Sequence, residues 1–90
     1  MRIGSDENKR LANIAKHKLD FADAASHLAA PYLTARARTV GIEERWLAIG
    51  RLGTAFVTLV FAPREETLRV ISLLRARNEE AKRYRQLLGG

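Results

Sequence analysis

The chain has 90 residues, of which 47% are hydrophobic, and we expect a single domain over residues 1–90 with a modest core. It has no cysteine, which excludes disulfides and thiolate metal sites, and no apolar run as long as the roughly 20 residues of a membrane helix. These absences favour a cytoplasmic protein. The formal net charge is +6 and 12 of the 16 basic residues are arginine, so we expect a phosphate-rich partner, unless the basic surface is incidental.

The N-terminal segment is predicted to form a short strand and then an amphipathic helix. Met1–Ser5 contains one large apolar residue and is a candidate edge strand. Asp6 can cap the following helix, because its carboxylate can accept a hydrogen bond from the first turn. Leu11, Ile14 and Ala15 lie at i, i+3 and i+4, which predicts that they form the apolar stripe of this helix.

A second helix is predicted immediately after the first, with Asp20 as its N-cap and Pro31 as its end. Its apolar stripe consists of Phe21, Ala24, Ala25 and Leu28. His27 lies beside this stripe, and we interpret it as a structural or solvated residue.

Four strands and a last helix are predicted after Pro31. The strands are Leu33–Arg38, Arg45–Gly50, Ala55–Phe61 and Leu68–Leu74. The turns between them are Val40–Glu44, Leu52–Thr54 and Pro63–Thr67. The third strand is continuous and rich in β-branched residues, which favours a central position in the sheet. Asn78 is predicted to cap the last helix.

These elements predict an α+β fold, in which an antiparallel sheet of four to five strands is accompanied by two N-terminal helices and a C-terminal helix. Short connections between consecutive strands favour a meander. We expect the helices to cover one face of the sheet.

The junction between the two N-terminal helices contains the first candidate site. Lys16, His17 and Lys18 place a titratable imidazole between two ammonium groups, which suits acid–base chemistry on an anionic substrate such as RNA. A histidine between two lysines is also typical of an exposed junction. Both interpretations are open at this point.

The strand Leu68–Leu74 contains the second candidate site. Strict alternation would place on one face Arg69, Ile71, Leu73 and, just past the end, Arg75. Arg64 precedes this strand and Arg77 follows it. Such a cluster could bind phosphates bidentately, but the arginines could equally be solvated and paired with Glu65 or Glu66.

Neither a metal site nor a cofactor site is predicted. The two histidines are far apart in sequence, and the glutamates occur as adjacent pairs rather than at the spacing of a helix face. The sequence also lacks a glycine-rich phosphate loop, a nucleophile elbow and a zinc motif.

An ordered set of residues spans nearly the whole chain. The set comprises Asp6, Lys9, Asn13, Lys16, His17, Phe21, Ala24, Glu44, Arg45, Ile49, Gly50, Arg64, Arg69, Val70, Ile71, Ser72, Arg75, Ala76, Glu80 and Tyr84. With this set the chain resembles the BrnT family, ribonuclease toxins of type II toxin–antitoxin systems, from about Met1 to Tyr84. The order of strands and helices predicted above is that of the RelE-like fold of this family.

The resemblance implies a metal-independent endoribonuclease, in which a ribose 2′-OH attacks the adjacent phosphate and RNA cleavage inhibits translation. It also implies a cognate BrnA-like antitoxin, in a heterotetramer of two toxins and two antitoxins. Operator DNA would be bound only through the antitoxin.

The resemblance also implies roles for individual residues. Lys16 and His17 are expected to transfer protons or to stabilise charge. Arg64, Arg69 and Arg75 are expected to clamp the phosphorane-like transition state, where each well-placed donor can contribute several kcal/mol. Further RNA contacts are expected from Lys9, Lys18, Arg51 and Arg77.

Two positions depart from the family pattern. The family usually has a basic residue at the position of Leu74 and a glycine at the position of Lys18. If the missing basic residue contacts RNA in relatives, the chain is a catalytically weakened module that binds nucleic acid or a partner. A third interpretation is a structural subunit whose arginines serve only an acidic partner protein.

Overall fold

The computed structural model describes residues 2–37, 39 and 41–89, and predictions that concern Met1, Arg38, Val40 and Gly90 lie outside the described residues. The strands are β1 (Arg2–Gly4), β2 (Tyr32–Arg36), β3 (Trp46–Leu52), β4 (Ala55–Arg64) and β5 (Thr67–Arg75). The helices are α1 (Glu7–His17), α2 (Ala24–Ala29) and α3 (Asn78–Leu88). A 3₁₀ turn (Phe21–Asp23) precedes α2, so the second predicted helix consists of two short pieces.

The described strands form one sheet in the order β1-β5-β4-β3-β2. β2 to β5 pair as an antiparallel meander, and β1 joins the edge of β5 in parallel. The α+β class, the meander and the short N-terminal edge strand are therefore confirmed. β4 lies third of the five strands, which confirms the central position predicted for Ala55–Phe61.

The hairpin between β4 and β5 is tighter than predicted. β4 continues through Pro63 to Arg64, which pairs with Thr67, so only two residues form the turn. The turn predicted over Pro63–Thr67 is therefore wrong at its boundaries. Proline is tolerated here because β3 pairs with β4 only as far as Phe61, so Pro63 needs no N–H for a second ladder.

Helices pack on both faces of the sheet, so the prediction that they cover one face is wrong. The front face carries the core cluster, which consists of Phe21, Ala24, Ala48, Val57, Leu59, Leu68, Val70 and Leu73. On the opposite, back face, α3 contacts β4 through the rings of Tyr84 and Phe56, whose centroids are 5.4 Å apart. Thr58 is buried on this face and donates to Glu80 of α3 at 3.0 Å. A central strand that is buried on both sides needs cover on both faces.

A β-bulge interrupts the alternation of β5. Val60 pairs with Ser72, whereas its neighbour Phe61 pairs with Val70, so Ile71 is an extra residue in β5. An extra residue inverts the faces of all residues that follow it.

The bulge separates two arginines that were predicted to share a face. Arg69 pairs with Ala62 on the back face, whereas Arg75 pairs with Val57 of the front face. Leu73 is fully buried in the front core rather than lying beside Arg69. The predicted face containing both arginines is therefore wrong, because strict alternation does not hold across a bulge.

The buried side of α1 is centred on Asn13, and the predicted apolar stripe is wrong. Asn13 is 6% exposed, whereas Leu11 is 54% exposed and Ala15 is also exposed. α1 packs chiefly against β5, whose backbone offers polar groups that an asparagine can satisfy and a leucine cannot.

Two of the three predicted N-caps are confirmed. The carboxylates of Asp6 and Asp20 each accept a hydrogen bond from a backbone N–H in the turn that follows, at 2.8 and 2.9 Å. The cap of α3 is Arg77 rather than the predicted Asn78. There the Glu80 carboxylate accepts from the Arg77 N–H at 2.8 Å, so the side chain that stabilises this end lies inside the helix.

His27 is a buried residue of the α2–β3 contact, which confirms the structural interpretation. Its Nε2 lies 2.9 Å from the carbonyl oxygen of Ala48, and because a carbonyl only accepts, Nε2 carries the proton. A Cβ at Gly50 would lie 3.2 Å from the Cε1 atom of His27, a tight contact to which the ring would have to adjust.

Candidate active site

Asn13 fastens α1 to the edge of β5. β1 pairs with β5 only as far as Arg69, so the backbone beyond that point needs other partners. Nδ2 of Asn13 donates to the Leu73 carbonyl at 2.8 Å, and Oδ1 accepts from the Leu73 N–H at 3.2 Å. Nδ2 also donates to the Leu19 carbonyl at 2.9 Å. One amide therefore holds α1, the junction that follows it and β5 in a fixed relation.

A groove of about 320 Å³ lies between α1 and β5. It is lined by Lys9, Ala12, Asn13, Lys16, His17, Arg45, Ile71 and Ser72. Lys9, Asn13 and Lys16 lie at i, i+4 and i+7, which places them on one side of the helix. Within the described lining, the groove thus combines an imidazole, two ammonium groups and a guanidinium.

The bulge in β5 forms the floor of this groove. Both Ile71, the extra residue, and Ser72 line the groove. The Ser72 hydroxyl donates to Oδ1 of Asn13 at 3.3 Å. Bulges redirect side chains locally, and this one brings a hydroxyl to the side of the sheet that carries the cations.

Next to the groove, one carboxylate is shared by two arginines. Oε2 of Glu43 accepts from Nη2 of Arg69 at 2.5 Å, and Oε1 accepts from Nε of Arg45 at 3.3 Å. The three side chains, the Glu43 cluster, are between 24% and 32% exposed. Since two guanidinium groups share one carboxylate, the cluster keeps a net positive charge.

The pKa of Glu43 reflects this environment. Partial burial raises it, but the hydrogen bonds and charges of Arg69 and Arg45 outweigh that effect and hold the pKa of Glu43 below its usual value. The carboxylate is therefore ionised near neutral pH.

A second, larger cavity lies beside the groove. It has a volume of about 730 Å³ and is lined by Gly4, Ser5, Asp6, Arg64, Glu65, Thr67 and Arg69. Arg69 faces this cavity, whereas Arg45 faces the groove between α1 and β5. Because Glu43 binds both, the Glu43 cluster connects the two concave surfaces.

The structure brings five of the predicted site residues into this region. Lys9, Lys16 and His17 line the groove, and Arg64 and Arg69 line the cavity beside it. Their roles in binding or catalysis stay predictions.

Arg75 does not join them. It lies six residues beyond Arg69 on β5, about 20 Å along the strand, and on the other face. Arg51 is also remote, because its guanidinium lies 5.5 Å from the ring of Phe56, near the opposite end of β4 from Arg64.

Arg77 and Lys18 occupy two further positions. Arg77 lines a different groove on the back face, with Leu47, Val60 and Leu74 among its neighbours. Lys18 is the C-cap of α1 and has a φ of +61°, a left-handed conformation. A glycine would suit this position, because glycine adopts the left-handed conformation without the steric cost of a Cβ.

The sequence reasoning missed Glu43, Arg45 and the structural use of Asn13. The sequence gave a partial signal for Asn13, a polar residue at the centre of a helix face. Burying its amide without hydrogen bonds would cost free energy, so a buried Asn13 must have partners. Glu43 was harder to predict, because Arg45 is only two residues away but its other partner, Arg69, is 26 residues away.

The described residues contain no group of three or more histidine, cysteine, aspartate or glutamate side chains placed to bind a metal ion. Within the same part of the chain, no helix has the length and apolar character needed to cross a membrane.

Residues 6–80 match a family described as ribonuclease toxin, BrnT, of type II toxin–antitoxin system. The match covers most of the 90 residues and includes both walls of the groove. The chain belongs to the BrnT family. Comparisons with curated proteins and with solved structures found no significant match.

Membership of the BrnT family implies an RNA substrate and a protein antitoxin as partner. The chemistry of the basic groove is compatible with an RNA substrate, because its described lining combines lysine and arginine side chains with an imidazole.

Proposed function

We propose that this BrnT-family protein is a metal-independent endoribonuclease whose active site is the groove between α1 and β5. The observation that carries the proposal is the convergence of His17, Lys16 and Arg45 on one groove, with Arg69 joined to it through Glu43. Cleavage of an RNA phosphodiester needs a proton acceptor, a proton donor and positive charge around phosphorus. These residue types supply all three.

In the proposed reaction a ribose 2′-oxygen attacks the adjacent phosphorus and loses its proton. The 5′-oxygen of the next nucleotide leaves and gains a proton, so the products carry a 2′,3′-cyclic phosphate and a 5′-hydroxyl. His17 and Lys16 serve the proton transfers or stabilise the charge that develops. Arg64 and Arg69 hold the phosphates, and Lys9 adds a further contact.

Arg75, Arg51, Arg77 and Lys18 lie away from this groove or outside its described lining. We propose that any contact they make is with flanking RNA rather than with the reacting phosphate. Contacts of this kind act through charge and weaken as salt rises.

We further propose that RNA cleavage by this protein inhibits translation in the cytoplasm. A BrnA-like antitoxin neutralises it in a heterotetramer of two toxins and two antitoxins. Operator DNA is bound only through the antitoxin.

The deciding experiment is a cleavage assay in EDTA, on free RNA and in a cell-free translation reaction. We expect cleavage without added metal ion and products with 2′,3′-cyclic phosphate ends. Cleavage that needs a divalent ion, or products with 3′-hydroxyl ends, would contradict the proposed chemistry.

Salt-dependent RNA binding without cleavage in either reaction would instead favour the weakened binding module that Leu74 suggested. Leu74 lines the back-face groove with Leu47 and Val60, not the groove of Lys16 and His17. The leucine therefore removes no cation from the described lining of the proposed active site.

A further inference from the structure

Arg45 lies in the groove between α1 and β5, where none of the arginines predicted to clamp the transition state is found in the described lining. Among the described residues, it is the arginine that lines the groove of Lys16 and His17. Arg64 and Arg69 line the neighbouring cavity. A group that stabilises charge on the reacting phosphate must lie in the same groove as the proton-transfer residues, because hydrogen bonds act over about 3 Å.

We infer that Arg45 is a catalytic residue that contacts the reacting phosphate, and that Glu43 is the positioning residue that orients it. This inference rests on the proposed ribonuclease function and goes further, by assigning the guanidinium that acts at phosphorus. It concerns two residues for which the sequence predicted no role.

The contact with Glu43 suits this role. Glu43 accepts from Nε of Arg45, which leaves the two Nη groups for a ligand in the groove that Arg45 lines. Arginine can offer two parallel N–H donors to a phosphate, and a fixed Nε contact sets the plane of the guanidinium. Partial burial, with 28% of the side chain exposed, limits its other rotamers.

Glu43 also links Arg45 of the groove to Arg69 of the neighbouring cavity. Its second oxygen binds Nη2 of Arg69, and the Nε atom of Arg69 is buried with no partner among the described residues. Arg69 lines the neighbouring cavity, whereas Arg45 lines the groove that also contains His17, so Arg45 is the arginine that shares a groove with His17. The carboxylate itself repels RNA, which means that Glu43 improves alignment at some cost in affinity.

The first test is Arg45→Lys, which keeps the charge and removes the planar fork. We expect single-turnover cleavage to fall by about 100-fold, the effect of losing one transition-state donor, while the Kd for RNA with a 2′-deoxy nucleotide at the cleavage site changes less than about threefold. Arg36→Lys is the matched control, because Arg36 is exposed, lies over Trp46 and pairs with Glu44. The control is expected to cleave at the wild-type rate.

The second test is Glu43→Gln, with Glu44→Gln as its control. Loss of the carboxylate charge should slow cleavage by about tenfold while the same 2′-deoxy RNA binds equally or more tightly. A merely structural role would weaken binding and cleavage together through misfolding, so slower cleavage without weaker RNA binding identifies a positioning role. Unfolding curves for each variant check that the fold persists.

The outcomes separate the inference from the proposed function. Wild-type cleavage with unchanged rates in Arg45→Lys or in Glu43→Gln would overturn the inference and leave the ribonuclease function standing. Absence of wild-type cleavage under all conditions would overturn the proposed function and with it the catalytic role of Arg45.

Discussion

Two arginine–carboxylate clusters in this protein differ in the ratio of their charges. In the first, Arg10 donates to both carboxylate oxygens of Asp20, at 2.8 and 3.0 Å, and also to Glu7. One guanidinium thus serves two acids. In the Glu43 cluster, two guanidinium groups share one acid.

The difference shows how one type of interaction can serve structure or binding. The donors of Arg10 are directed at protein acids, so this pair ties α1 to the 3₁₀ turn behind Asp20. The Glu43 cluster has a net positive charge and adjoins both concave surfaces, so it can accept a further anion.

The largest expected effect comes from removing one arginine from each cluster. Arg69→Ala should reduce RNA cleavage by about 100-fold, because it removes a contact to the substrate phosphates and releases Glu43, which orients Arg45. Arg10→Ala should lower the melting temperature but leave the cleavage rate of the folded protein unchanged. Cleavage assays and thermal unfolding of both variants check this contrast. Equal losses of activity in the two variants would show that the clusters do not differ in function.

The packing of α1, which forms one wall of the groove, should depend on Asn13. Asn13→Ala leaves the N–H and carbonyl of Leu73 without their side-chain partner, and we expect a loss of about 2 kcal/mol in the free energy of unfolding. Asn8→Ala, an exposed change on the same helix, is the control and should stay within about 0.5 kcal/mol. Urea denaturation measures both. If Asn13→Ala lowers the free energy of unfolding as little as the control does, the amide of Asn13 does not hold α1 against β5.

Acid should weaken the Arg10 cluster in a defined direction. The side-chain hydrogen bond from Arg10, together with the backbone hydrogen bond from Ala22, lowers the pKa of Asp20. A carboxyl group with a lowered folded pKa contributes stability above its unfolded pKa, about 3.9, and loses that contribution as the pH falls through the folded value. Wild-type stability should therefore drop more steeply than that of Asp20→Asn below about pH 4. If the urea midpoints of the two proteins fall by the same amount as the pH is lowered through this range, the expectation is refuted.

The smallest effect is expected at Lys18, beside the groove. Lys18→Gly relieves a left-handed residue and should stabilise the protein by about 1 kcal/mol, whereas Lys18→Ala keeps the strained conformation. If Lys18 contacts RNA as predicted, both variants should lose RNA affinity to the same small extent. Chemical denaturation measures the effect of backbone strain on stability, and RNA titration measures the effect of the lost lysine charge on affinity. Equal stability of the glycine and alanine variants would remove the strain argument.

Local patterns in the sequence were sufficient for the order of the elements and for some of their ends. Aspartate caps at Asp6 and Asp20, the β-branched run of β4 and the short strand connections all act within a few residues, so their consequences can be predicted from neighbours in the chain. The alternation of β5 was predictable only up to the bulge at Ile71.

The site itself depended on tertiary structure. Asn13 is buried because β1 ends opposite Arg69 and leaves the backbone of β5 in need of a partner, which only the assembled sheet decides. Arg45 and Arg69 meet through Glu43 because two separate segments, Glu43–Arg45 and β5, converge on the back face. The chain by itself determined that it carries excess arginine and a Lys16–His17 pair, and the packing of α1 against β5 decided which of these groups share a groove, because distances between residues far apart in sequence are set by strand register and helix docking.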